Sequence, residues 1–158
     1  MIVSRLMQAK NKNGWIPDRP DIRDIPVSTK KVKNIYASAD LRRFCSPVED
    51  QGEIGSCTAH AVIGLLEMIH RLKEQPHVDL SRLFLYKVTR NLLGWKGDQG
   101  AYIRTAIKAA IMIGAPQERY WPYNTKKFDE EPSQFTYALA SNFRGLTYLN
   151  VGLSRDPN

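Results

Sequence analysis

Cys57 stands where the stretch from Ser46 to Ala61 changes from a glycine-punctuated loop, Gln51-Gly52-Glu53-Ile54-Gly55, into a helical pattern. That position has a chemical use. A thiolate is the nucleophilic form of cysteine, and the positive end of a helix favours it, lowering the thiol pKa from its reference near ~8.5. The unpaired N–H groups of a first helical turn also point at whatever binds there, so the Cys57 N–H can stabilise an oxyanion. Upstream, Gln51 offers a side-chain amide that a tight Gly52/Gly55 turn would bring back to the same spot. A nucleophile with two convergent donors is most of an acyl-transfer site. A lone cysteine on an amphipathic helix is ordinarily a small buried apolar residue, and it is the neighbours Gln51, Gly55 and Ser56 that set Cys57 apart. On this reading Cys57 is the more acidic of the two thiols, because Cys45 follows Phe44 in an apolar approach segment.

The elements that must hold such a site are mainly helices. Ala61, Val62, Leu65, Leu66, Ile69 and Leu72 recur at spacings of three and four after Ser56, and Pro76 closes the run. A second helix is expected from Ser81 to Gly94, carrying Leu83, Phe84, Val88 and Leu92. A third runs from about Ala101 through Ile103, Ala106, Ile107, Ala110 and Ile111 to Gly114, a natural left-handed cap. Pro132 and Ser133 open a shorter fourth that reaches Asn142. Leu146 to Val151 alternates like a strand. Residues 1–43 are rich in turn formers and show no sustained period, so they read as an extended leader. Its isolated apolar pair, Trp15 and Ile16, suggests a segment lying against the domain surface.

Composition removes several function classes. The 158 residues carry 23 Lys/Arg against 16 Asp/Glu, a net charge of +7, which by itself would suggest a nucleic-acid partner. The excess is local, however: residues 1–43 hold 10 basic and 4 acidic side chains, residues 44–158 hold 13 and 12. Asp18, Asp21 and Asp24 interrupt the basic leader and no reading motif accompanies it, so nucleic acid is not the expected partner. No apolar run approaches the ~18–20 residues of a membrane span. Cys45 and Cys57 cannot make a disulfide framework, and with His60, His70 and His77 they show no zinc spacing. Neither a metal nor a cofactor is expected.

The run Gln51-Gly52-Glu53-Ile54-Gly55-Ser56-Cys57 closely resembles the active-site signature of papain-like cysteine peptidases. The resemblance continues through Leu80-Ser81, Asp98-Gln99-Gly100, Glu118 and Trp121-Pro122-Tyr123 in the family's order. The leader Gly14-Trp15-Ile16-Pro17-Asp18-Arg19-Pro20-Asp21-Ile22-Arg23-Asp24 is similar to the N-terminal stretch of microbial members, so the match spans about residues 14–152. It implies an α+β papain-like fold, of which this chain is mainly the helical left-hand domain (44–144) plus the first strand of the right-hand β domain (145–158), behind the leader (1–43). It also implies cysteine-type peptide hydrolysis, with Cys57 as nucleophile and Gln51 as oxyanion donor. Asp98, Gln99 and Gly100 fall where the family binds substrate backbone, although a turn before a helix with Asp98 as its cap fits those three equally well. Trp121, Pro122 and Tyr123 read as core and turn residues.

The departures matter as much. Ile54 takes the place of a cysteine that secreted members use for a disulfide, and Thr58 replaces the aromatic residue that commonly follows the nucleophile. Both changes fit a reducing compartment, and with no secretory segment in the first residues the expected location is cytoplasmic. The family's catalytic His and Asn lie ~130–150 residues beyond the nucleophile, past Asn158. His60 sits one helical turn after Cys57, but successive Cβ atoms diverge around the axis, and it reads as a packing histidine. His70 and His77 read as surface or helix-end residues. The expected partners are a peptide or protein substrate and a right-hand-domain chain or a second copy, drawn by the unpaired edge of Leu146, Tyr148 and Val151. The rival reading, from a different class, is an inactive thiol-bearing interaction module or peptidase remnant.

Overall fold

The computed structural model describes residues 14–22, 24 and 37–145. Within them the helical pattern that follows Ser56 forms α1, Cys57–Leu72. Helix α2, Arg82–Leu93, begins where the Ser81 hydroxyl accepts the Phe84 N–H and ends on Gly94 in the left-handed region, the residue types expected at those two positions. Helix α3, Ile103–Met112, runs out towards Gly114, whose φ is +90°. Helix α4, Gln134–Ala140, is capped by Ser133, which accepts from the Thr136 N–H. Short 3₁₀ turns occupy Arg42–Phe44, Glu118–Tyr120 and Thr125–Lys127.

Two features differ from the sequence reading. The third helix starts at Ile103 because Ala101 and Tyr102 are first taken up in a strand, β2 (Ala101–Tyr102). Its partner is β1 (Trp15–Ile16), and the two run parallel with Trp15 opposite Ala101 and Ile16 opposite Tyr102. The leader therefore supplies a strand and lies against the domain through backbone pairing, while the Trp15 side chain is 47% exposed and Ile16 half-buried. The alternating segment from Leu146 to Val151 lies outside the described residues.

The core is built around α2, which is buried continuously from Arg82 to Arg90. Leu83, Phe84, Leu85 and Val88 are fully enclosed, each contributing about 1.5–3 kcal/mol by burial. Ala59, Val62 and Ile63 of α1 and Ala106, Ala109 and Ala110 of α3 complete the cluster. Three alanines on one face of α3 let it approach α2 closely. The middle of the molecule thus belongs to α2, while α1, the helix that starts at Cys57, leaves Ala61, Leu65 and Leu72 exposed.

Charges inside this core are paired. Glu67 of α1 is buried and accepts from Arg82 (3.0 Å), the Leu80 N–H (2.8 Å) and the Ser46 hydroxyl (2.5 Å). One carboxylate so ties α1 to the start of α2 and to the approach segment of the cysteine loop. Among the described residues no helix is long and apolar enough to cross a membrane.

Candidate active site

Cys57 is the first residue of α1, with Ser56 as the N-cap. Ser56 is fully buried, and its hydroxyl does not cap the helix. Instead it meets the Tyr123 hydroxyl at 2.6 Å. Tyr123 in turn donates to the Gln51 carbonyl at 2.8 Å. One phenol therefore clasps both ends of the loop that carries the cysteine. A turn at Gly52, held left-handed at φ +61° with its N–H on Asp50 (2.9 Å), folds the chain back. The Gln51 amide then donates to the Ile54 carbonyl at 3.0 Å. That contact uses one N–H of the NH₂ group, and an amide has two.

Asp98 bolts the loop from the other side. Its two carboxylate oxygens accept the Gly55 N–H at 2.9 and 3.1 Å, and Oδ1 also accepts the Tyr86 hydroxyl at 2.5 Å. The carboxylate faces the cysteine loop and is not the cap of α3, whose N-cap Tyr102 makes no side-chain capping bond. Gln99 is exposed and donates to the Lys96 carbonyl at 2.9 Å; Gly100 is buried, at φ +75°, with its N–H on the Tyr86 hydroxyl at 3.2 Å. Gln51 and Cys57 accordingly stand at the two ends of one loop, and Asp98 reaches it from the neighbouring turn that also carries Gln99 and Gly100. The sequence reading treated Tyr123 as core and turn. Its ring does pack on the core, and the hydroxyl that reaches Gln51 and Ser56 is a contact across 67 residues that no local pattern signals.

Electrostatics correct one expectation. Burial pushes the Cys57 thiol up from its ordinary value, outweighing the Thr58 and Cys57 backbone N–H groups that favour the thiolate. The helix N-terminus alone does not make this thiol acidic. His60 does not supply the missing cation: its Nδ1 faces the Ser56 carbonyl (3.1 Å) and hydroxyl (3.3 Å), its ring stands edge-on to Tyr123 at 5.1 Å, and burial pulls its pKa down. It is the packing histidine that its position suggested. His70 lies against Phe143, and His77 is exposed. Among the described residues no cluster of three or more His, Cys, Asp or Glu could hold a metal ion.

Comparison with known proteins gives this loop its context. The family model for papain family cysteine proteases matches residues 35–150. An uncharacterised peptidase C1-like protein of Acanthamoeba polyphaga mimivirus is 29% identical across 90% of this chain and 52% of its own length. Chymopapain from Carica papaya is 29% identical across 63% of this chain and 28% of its own. Among solved structures, xylellain, a cysteine protease from Xylella fastidiosa, superposes with a TM-score of 0.80 at 31% identity, over 89% of this chain and 58% of xylellain. Procathepsin L2 of Tenebrio molitor shares the fold at a TM-score of 0.60, over 72% of this chain and 39% of that one. The chain spans about half the length of the mimivirus relative and under a third of chymopapain.

Proposed function

The chain belongs to the papain family of cysteine proteases, and on that premise we propose that it is the nucleophile-bearing half of a peptidase that cleaves peptide bonds through Cys57. The observation that carries this reading is the placement of Cys57 as the first residue of α1 behind a loop fixed at Gln51, Gly55 and Ser56. In the reaction Cys57 Sγ attacks the scissile carbonyl carbon. The Cys57 N–H and the second N–H of the Gln51 amide receive the developing oxyanion. Asp98, Gln99 and Gly100 form the rim along which the substrate backbone lies, Asp98 by holding Gly55 and the exposed Gln99 by contact. Attack needs an imidazole to take the thiol proton and return it to the leaving amine, with a carboxamide orienting that ring. These come from a right-hand half, which corresponds to the part of the relatives that this chain does not span.

A second reading, an inactive thiol-bearing module, is favoured by one observation: burial raises the Cys57 thiol, and the adjacent His60 is turned to Ser56. Hydrolysis of a fluorogenic peptide by the chain, with and without a separately produced right-hand half bearing His and Asn, separates the two. The chain by itself is expected to be nearly silent, since general acid–base help is worth about 10²–10⁴-fold. Joined to its other half it should turn over, with activity lost in Cys57→Ala and reduced about 10²–10³-fold in Gln51→Ala. Halves that associate yet give no Cys57-dependent turnover would favour the inactive module.

A further inference from the structure

Three backbone segments meet closely at Gly14, Gly55 and Gly100. Gly14 is buried, at φ +75°, and a Cβ added to it would lie 2.0 Å from the Gly55 carbonyl oxygen. A Cβ on Gly100, also at φ +75°, would lie 2.1 Å from the Gly14 oxygen. A Cβ on Gly55 would meet Gly14 Cα at 3.0 Å, Asp98 Oδ1 at 3.2 Å and Gly100 Cα at 3.3 Å. The leader backbone is thus pressed between the loop that carries Cys57 and the turn at Gly100, so closely that only glycine fits at positions 14 and 100, while a side chain at 55 would have to push its neighbours by a few tenths of an ångström. The Ala101 N–H donates to the Gly14 carbonyl at 2.8 Å, and β1 then pairs with β2.

Beyond the strand the leader is fastened again, to the start of α3. The Arg104 N–H, in the first turn of that helix, points at both carboxylate oxygens of Asp18 at 3.3 Å. Asp18 so stands in for the side-chain cap that Tyr102 does not provide. The Arg104 guanidinium reaches the Arg19 carbonyl at 2.8 Å, Asp24 at 2.5 Å and Asp21 at 3.8 Å. Every one of these contacts joins residues 80 or more positions apart along the chain.

We propose that residues 14–22 with Asp24 are a permanent brace of the cysteine loop, with Gly14 and Arg104 as positioning residues, so that removing the segment loosens the loop and lowers activity instead of releasing it. Gly14 is the floor on which Gly55 rests, and Asp98 is the bolt above. Without the floor, Gly55 and Ser56 gain freedom, Cys57 becomes more exposed, and the N–H groups aimed at an oxyanion lose their fixed direction. The loosening itself does not depend on the peptidase reading; only its cost in turnover does.

The test compares the full chain with Arg104→Gln, Arg104→Lys, Gly14→Ala and a version lacking residues 1–24. Amide exchange at Gly55, Ser56 and Ala101 should quicken about 10-fold or more in Arg104→Gln, Gly14→Ala and the truncation, while the buried amides of α2 keep their protection. Arg104→Lys, which retains a cation facing Asp24, should restore part of the protection. The pH midpoint of Cys57 alkylation should fall as burial is relieved, with the exposed Cys45 as an unchanged internal reference. In the two-half enzyme the same variants should lower kcat more than they raise KM. Unaltered exchange at Gly55 with an unaltered Cys57 profile in all of them, or a gain of turnover on truncation, would overturn the brace. Failure of every version to cleave peptide would count against the peptidase reading and leave the exchange and alkylation results to judge the brace.

Discussion

Cys57 and Glu118 show how local burial sets the chemistry of single residues here. A helix N-terminus lowers a thiol pKa and desolvation raises it; at Cys57 burial wins. Alkylation of Cys57 by iodoacetamide in the chain by itself should therefore follow a midpoint above the ordinary ~8.5, and a midpoint near neutrality would show that the backbone donors dominate. Glu118 is the second case. Burial pushes its carboxyl up to about 7; Asp79 adds to that rise, while the Tyr123 N–H and Arg82 oppose it. Because the folded value lies above that of the unfolded chain, its stabilising share is complete below about 4.5 and is lost as pH rises through 7. Urea midpoints should then fall between pH 5 and pH 8, and Glu118→Gln should flatten that slope. An unchanged slope in the variant would place the pH dependence elsewhere. Since Glu118 accepts the Tyr123 N–H, and Tyr123 clasps Gln51 and Ser56, the same titration bears on the cysteine loop.

At the scale of elements, α2 rests on an arginine that no hydrophobic pattern would place inside. Arg90 is fully buried beneath the Tyr86 and Phe128 rings, 4.3 and 5.1 Å from their centroids. Its guanidinium donates to the Gly97 carbonyl and to Asp129, both at 2.7 Å, and to the Phe128 carbonyl. One side chain thus ties α2 to the turn before β2 and to the segment before α4. Arg90→Ala should cost about 2–4 kcal/mol, because it leaves a cavity and takes the donor from the Gly97 and Phe128 carbonyls, and a urea titration would read a loss below about 1 kcal/mol as evidence that these contacts are dispensable. The helices themselves were legible in the sequence because their signals are local: three- and four-residue spacing, Ser81 and Ser133 at the starts, Gly94 and Gly114 at the ends. The placement of Cys57 at the start of α1 behind a folded-back Gln51 was legible for the same reason, both lying within one short motif. What the sequence hid is long-range. Strands β1 and β2 are two residues each, too short for a period of two to appear, and Gly14 finds Gly55 and Gly100 only once the chain has folded. Arg90, Tyr123 and the capping of α3 by Asp18 each depend on a partner far along the chain, Asp129 at 39 positions, Ser56 at 67 and Arg104 at 86.

At the scale of the whole molecule, the proposed right-hand half would dock on the exposed face of α1. Leu65 is 46% exposed there. An open cleft of about 420 Å³ runs beside it, lined by Pro47, Gly64, Leu65 and Met68 together with the polar and charged Cys45, Ser46, Glu49, His60 and Arg82. A half-exposed leucine beside charged and polar side chains has the mixed character of a protein interface, and the mimivirus relative and xylellain each extend well beyond the part that this chain covers. The prediction is that Leu65→Glu leaves the isolated chain within about 0.5 kcal/mol of its original stability, as a half-exposed surface change should. Association with the right-hand half should instead weaken by about 30-fold or more, because docking would then bury an unpaired carboxylate at a cost of some 2 kcal/mol or above. Titration of the labelled half into the chain, followed by fluorescence anisotropy, reads both affinities directly. The Cys57 alkylation midpoint supplies an independent signal, since an imidazolium brought against the thiol should draw it down in the original chain and fail to do so in Leu65→Glu. Equal affinities for the two chains would move the docking surface off this face of α1 and onto the loops on either side of it.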